Sequence, residues 1–191
     1  MNNLKILTVP NPLLRQKSKP VKVINNQIKN LAGEMIKFLK TGAEGKTAGV
    51  GLSAPQIGQL LRIIMVLSKS SRQFLPMINP EIVWHSKRQK LGIPDSKKPL
   101  SAGRQAYEGC LSVPNVWAKV KRYSVIKVAY KTLDDQKVVR KLKGFSGVVV
   151  QHEIDHLDGI LFVDRVLEQK GKLYQIEQSG KGKEEFVEVK I

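Results

Sequence analysis

Residues 144 to 159 read GFSGVVVQHEIDHLDG, and the rest of the chain is best understood outward from this stretch. Gly144 and Ser146 are start signals and Gly159 is a stop, which together bracket one short helix. The successive β-branched residues Val148, Val149 and Val150 are poor helix formers, so burial rather than propensity must hold it. His152 and His156 stand four positions apart, one above the other on one face, where both can reach a single divalent metal. Glu153 lies beside them without being a ligand. A carboxylate in that place can take a proton from a metal-activated water and pass it to a leaving amine, the chemistry of metal-assisted hydrolysis.

The flanking sequence predicts an α+β protein with several antiparallel strands and two helices. Pro10, Pro12 and Pro20 make the first twenty residues extended. From Asn25 to Lys40, Ile28, Leu31, Met35 and Leu39 recur at helical spacing, with an Asn cap and Gly42 as a stop. AGVGLSAPQIG, residues 48 to 58, breaks both periodicities and reads as an irregular loop. LLRIIMVLS at 60 to 68 is a buried strand, and 75 to 85 is a second, interrupted by Pro80. Residues 86 to 106, rich in Lys, Gly and Pro, read as an exposed basic loop. Alternation over 120 to 132 and a turn at Leu133-Asp134-Asp135 predict a hairpin, and 172 to 191 a terminal hairpin. No repeat or linker divides the chain, so 1–191 is read as a single domain.

Composition narrows the setting. Among 191 residues, 33 Lys and Arg face 16 Asp and Glu, a net charge of +17 that attracts polyanions, RNA first among them. The basic residues are scattered through 87 to 104, 119 to 122 and 137 to 143 with no interleaved aromatic motif, so a solvated basic surface is the favoured reading. No apolar run suits a signal peptide or a membrane span, which predicts a cytoplasmic location and no membrane partner. The single cysteine excludes an internal disulfide.

A catalytic metal needs a third protein ligand and an open position. Cys110, in EGCLSVP, is the candidate, although a lone cysteine is more often a small buried hydrophobe. His85, in a polar run, reads as a surface residue. Two alternatives stay open at this point: a His-Glu-x-x-His endopeptidase with a downstream carboxylate ligand such as Glu168, and an RNA-binding protein with a structural metal. The helix geometry adds a pocket wall. Val148 lies one turn before His152 and Val149 one turn before Glu153, so both valines project toward the metal face and form an apolar slot suited to a methionine side chain.

GVGLSAPQ at 49 to 56, EGCLS at 108 to 112 and QHEIDHLDG at 151 to 159, in that order, resemble the three signature motifs of the peptide deformylases; ILTVPNPLLRQKSKPV and INPEI are also similar. The resemblance spans roughly residues 4 to 165. It implies antiparallel sheets around a central helix that carries the metal motif. It also implies that Cys110, His152 and His156 bind the metal, that Glu153 is general acid and base, and that Gln56 and the N–H of Leu111 donate to the oxyanion. Gly49 and Gly51 would let the backbone approach the peptide, Val50 and Gly109 would bond its main chain, and Phe145 would close the slot. The implied substrate is the formylmethionine of nascent chains. The implied native metal is ferrous iron, whereas two imidazoles and a thiolate also suit zinc, with nickel or cobalt as substitutes.

Two features depart from the pattern: Ser53 replaces the first alanine of Ala-Ala-Pro-Gln, and the basic segment 86 to 106 is longer than usual by about a dozen residues. The C-terminus lacks the amphipathic helix found in part of the family and resembles the branch that ends in a strand. The basic segment is a candidate contact for ribosomal RNA; a passive insertion is the more cautious reading.

Overall fold

The structure is a computed structural model and describes residues 4–42, 49–68, 71–92, 107–178 and 184–189. After a short 3-10 turn at Pro12–Arg15 the chain forms α1 (Asn26–Thr41), β1 (Gly51–Ser53), a 3-10 turn at Ala54–Ile57, β2 (Ile63–Leu67), β3 (Phe74–His85) and β4 (Gln89–Leu91). It continues as β5 (Glu108–Cys110), β6 (Val113–Ala118), β7 (Lys121–Tyr123), β8 (Val125–Lys131) and β9 (Lys137–Lys143). Helices α2 (Gly144–Leu157) and α3 (Phe162–Glu168) follow, then β10 (Leu173–Gln178) and β11 (Glu184–Val189). Among the described residues the strands form three antiparallel sheets, ordered β1-β2-β3-β8-β9, β11-β10-β6-β5 and β4-β7. They surround α2 as the resemblance implies.

The run Ile63-Ile64-Met65-Val66 is apolar at every position because β2 is covered on both faces. Ile63 and Met65 join Met35, Leu39, Ala32 and Leu52 under α1, while Ile64 and Val66 join Val149, Val150, Ile154 and Leu157 of α2. Each fully buried side chain of this kind contributes about 2 kcal/mol of apolar burial. Helix α1 begins where the Asn25 side chain accepts the Ile28 N–H at 3.1 Å and stops at Gly42, whose φ is 71°. A third cluster, with Leu14, Val113, Val120, Leu161, Phe162 and Val166, fills the space between the N-terminal turn and the four-stranded sheet.

Pro80 does not break β3, because the ladder to β8 shifts register between Ile78 and Glu81 at that point. There Asn79 (φ 52°) donates to the Val21 carbonyl and accepts its N–H, both at 2.8 Å. The hairpin predicted around Leu133-Asp134-Asp135 is present as β8 and β9, with Lys131 opposite Lys137. The terminal hairpin pairs Leu173 with Val189 and packs Phe186 on Tyr107, ring centroids 4.2 Å apart. Its turn, 179–183, lies outside the described residues.

Three expectations need correction. The segment 48 to 58 is not all irregular: Gly51–Ser53 pairs with β2, Gly51 opposite Val66, and a 3-10 turn follows. There are three helices rather than two among the described residues; the seven residues of α3 carry too little periodicity to mark a helix. The basic segment is not wholly loop, since Gln89–Leu91 pairs with β7, Lys90 opposite Arg122; residues 93–106 lie outside the described residues.

Candidate active site

Strand β5 leaves its ladder at Cys110. Gly109 pairs with Trp117, but Cys110 pairs with Val113, a shift that turns the Cys110 side chain toward α2. There the Sγ lies 3.2 Å from His156 Nε2, and one ligand atom each of Cys110, His152 and His156 fall within 4.8 Å of one another. The Ser112 N–H and Gln56 Nε2 also point at the sulfur, at 3.4 and 3.5 Å. Burial would push the Cys110 thiol up, but the facing His156 and His152 imidazoles outweigh it and hold it well below the ordinary thiol range. A thiolate and two imidazoles within that span fit a borderline-soft divalent cation.

Gln56 is oriented by its neighbours. Its Oε1 accepts from the Ser53 N–H and hydroxyl, both at 2.9 Å, which fixes Nε2 as the end that donates to Ser112 Oγ at 3.2 Å and toward Cys110. The departure at Ser53 thus supplies a hydroxyl to this amide that alanine could not.

Glu153 is buried, and its Oε2 has no hydrogen-bond partner among the described residues. Burial raises its carboxyl above the usual range, against the opposing pull of His152 and His156. Gly51 presses against it: a Cβ at Gly51 would meet Glu153 Oε1 at 2.4 Å and Val149 Cγ1 at 2.9 Å.

The remaining predicted residues surround this centre unevenly. Val149 reaches Gly51, whereas Val148 lines a small cavity with Gly92, Arg122, Tyr123, Ser124 and Gly144. Phe145 packs on the core cluster that holds Val149 and Val150. Val50 and Leu111 are exposed, and the Val50 carbonyl already accepts the Leu67 N–H at 2.8 Å. The Trp117 ring occupies the space a side chain at Gly109 would need, with ring atoms 2.7 Å from that Cβ position. His85 is exposed and stacks on Tyr123, and Glu168 is exposed and pairs with Arg165 at 3.1 Å; neither joins the metal-ligating group.

Sequence reasoning missed a set of charges behind Cys110 and the two histidines. Glu108 Oε2 lies 2.9 Å from His152 Nδ1, and the Glu108 carboxylate accepts Arg122 Nε and Nη2, both at 2.9 Å. Arg122 Nη1 reaches Asp155 Oδ2 at 2.5 Å, and Arg165 Nη2 reaches Asp155 Oδ1 at 2.7 Å. Burial alone would raise Glu108, but Arg122 and then His152 pull its carboxyl down to about 2. A signal for Arg122 was present: it shares the inward parity of Val120 on an alternating segment, although the basic run around it reads as solvated surface.

A polypeptide deformylase family profile matches residues 3–172. The chain belongs to the peptide deformylase family. Its relatives include the peptide deformylases of Dictyoglomus thermophilum, 39% identical over 86% of this chain and 93% of that protein, and Desulforudis audaxviator, 38% identical over 84% and 91%. A crystal structure of a class I type b peptide deformylase from Acinetobacter baumannii, with K1U bound, aligns with a TM-score of 0.71 at 34% identity, covering 85% of this chain and 98% of that one. The deformylase reaction, metal-dependent hydrolysis of the N-formyl group from an N-terminal formylmethionine with release of formate, is therefore the reaction of this chain. Among the described residues no helix is long and apolar enough to cross a membrane.

Proposed function

We propose that Cys110, His152 and His156 hold the catalytic cation of this deformylase, that Glu153 carries the proton, and that Gln56 and the Leu111 N–H receive the charge on the formyl oxygen. The observation that carries this reading is the convergence of one sulfur and two imidazoles within 4.8 Å, beside a buried carboxylate with an unpartnered oxygen. When bound, the cation supplies Lewis acidity that makes a water nucleophilic at neutral pH. Glu153 takes the proton of the attacking water and delivers it to the nitrogen of the departing peptide. Its raised carboxyl suits a group that must both accept and return a proton. Gln56 Nε2, held by Ser53, and the Leu111 N–H donate to the oxygen as the carbon becomes tetrahedral.

The formylmethionine side chain sits against Val149, Val148 and Phe145, with Val50, Gly51 and Gly109 along the peptide backbone. Ferrous iron is the native metal in this reading, and zinc, nickel or cobalt replace it after purification. The unit is one catalytic domain, 1–191, acting in the cytoplasm on nascent chains. Its basic patches contact ribosomal RNA, a contact that salt should weaken steeply.

The test is formate release from formyl-Met-Ala-Ser by protein purified anaerobically and loaded with iron or zinc. Release that is fastest with iron is expected; none with any metal would overturn the assignment, and equal rates would end the iron requirement. Metal binding that survives Cys110→Ser unchanged would remove that residue from the ligand set.

A further inference from the structure

We infer that Arg122 is a positioning residue of the metal centre: it fixes the strand that bears Cys110 against the helix that bears both histidines and, through Glu108, holds the His152 ring. The inference rests on the ligand set proposed above.

Arg122 is 6% exposed, and its guanidinium is spent on two carboxylates from the two ligand-bearing elements. On one side it grips Glu108 with two bonds of 2.9 Å, the planar fork of the guanidinium matching both oxygens. Glu108 lies two residues before Cys110 on β5. On the other side it donates to Asp155 at 2.5 Å, and Asp155 lies on α2 between His152 and His156. One side chain thus spans the gap that the three ligand atoms must also span.

The grip extends to a ligand side chain as well. The Glu108 oxygen that takes Arg122 Nη2 also lies 2.9 Å from His152 Nδ1, so the side chain that holds the strand also fixes the direction of the His152 ring. Lysine at 122 would keep the charge but not the fork, and so could not serve Glu108 twice and Asp155 at once.

Arg165 provides the comparison. It also binds Asp155, at 2.7 and 3.2 Å, but its side chain is 31% exposed and it makes no bond to Glu108. Its removal should cost stability and leave His152 alone.

The experiment uses protein loaded with cobalt(II), read by its visible thiolate and ligand-field bands, by cobalt affinity against a chelator, and by kcat and KM for a formyl peptide. Arg122→Lys is expected to weaken cobalt 10- to 100-fold, to change the ligand-field bands, and to lower kcat more than KM rises. Arg165→Leu should lower Tm with the spectrum unchanged. Should Arg122→Lys not fold, Glu108→Gln, which keeps the size of the side chain but offers the guanidinium one oxygen instead of two, is expected to give the same spectral change. An Arg122→Lys or Glu108→Gln protein with wild-type bands and affinity, whatever its Tm, would overturn the inference. Wild-type protein that shows no cobalt-thiolate band would instead overturn the ligand set on which it rests.

Discussion

The backbone of Gly51 lies so close to the Glu153 carboxylate that a single added carbon would come within 2.4 Å of Oε1. The same carbon would stand 2.9 Å from Val149 Cγ1, so both side chains would have to shift to admit it. Gly51→Ala should therefore displace Glu153, the proposed proton carrier, inside an otherwise intact fold. A misplacement of this kind costs about a hundredfold in rate. Steady-state kinetics should show kcat falling by that order, with a far-ultraviolet circular dichroism spectrum like that of the wild type.

Glu153→Gln removes the ionisable group and keeps the shape. Formate release should drop by roughly 10²- to 10⁴-fold while bound metal, measured by elemental analysis, stays constant. Burial raises this carboxyl, so its ionised form opposes folding at neutral pH. The metal-free variant should accordingly melt at or above the wild-type temperature, and a clear fall in Tm would contradict this account of its surroundings.

Gln56→Leu leaves a side chain of similar bulk without the amide donor. Loss of one preorganised donor to a developing oxyanion lowers kcat by about 10² to 10³. Because the formyl oxygen carries little charge before attack, KM should change much less than kcat. Comparable losses in both constants would mean that Gln56 serves ground-state binding instead.

The Glu108 carboxyl is lowered from 4.5 to about 2, so its ionised form stabilises the folded state fully above 4.5 and the contribution disappears as pH falls toward 2. The difference corresponds to about 3 kcal/mol. Urea denaturation between pH 6 and 3 should show stability falling steeply below about pH 4.5 in the wild type. Glu108→Gln should start from a lower value and lose less over the same interval. Parallel curves would assign the acid sensitivity to other carboxylates.

Much of the site was legible because its information is local. The spacing of His152 and His156, the glycine that stops α2 and the Asn25 cap are short-range signals that survive without tertiary context. Strand β1 was not legible, because three residues in a glycine-rich stretch become a strand only by pairing with Val66, Met65 and Ile64. Arg122 was hidden for a different reason. Its neighbours Lys119 and Lys121 make the run look like a solvated surface, and only the inward parity it shares with Val120 sets it apart. Glu108 sits inside its motif with no role readable from the sequence, since a buried carboxylate has meaning only once its partners are known.

The double-sided burial of β2 makes that strand a party wall between two households. Ile63 and Met65 furnish the α1 side, Ile64 and Val66 the α2 side, and no other layer separates them. Side chains alternate strictly along a strand, so a slip of one residue would hand each helix the other's partners. The helix that carries the histidines is thereby tied to a helix that touches no reacting atom, and an insertion in β2 would evict both.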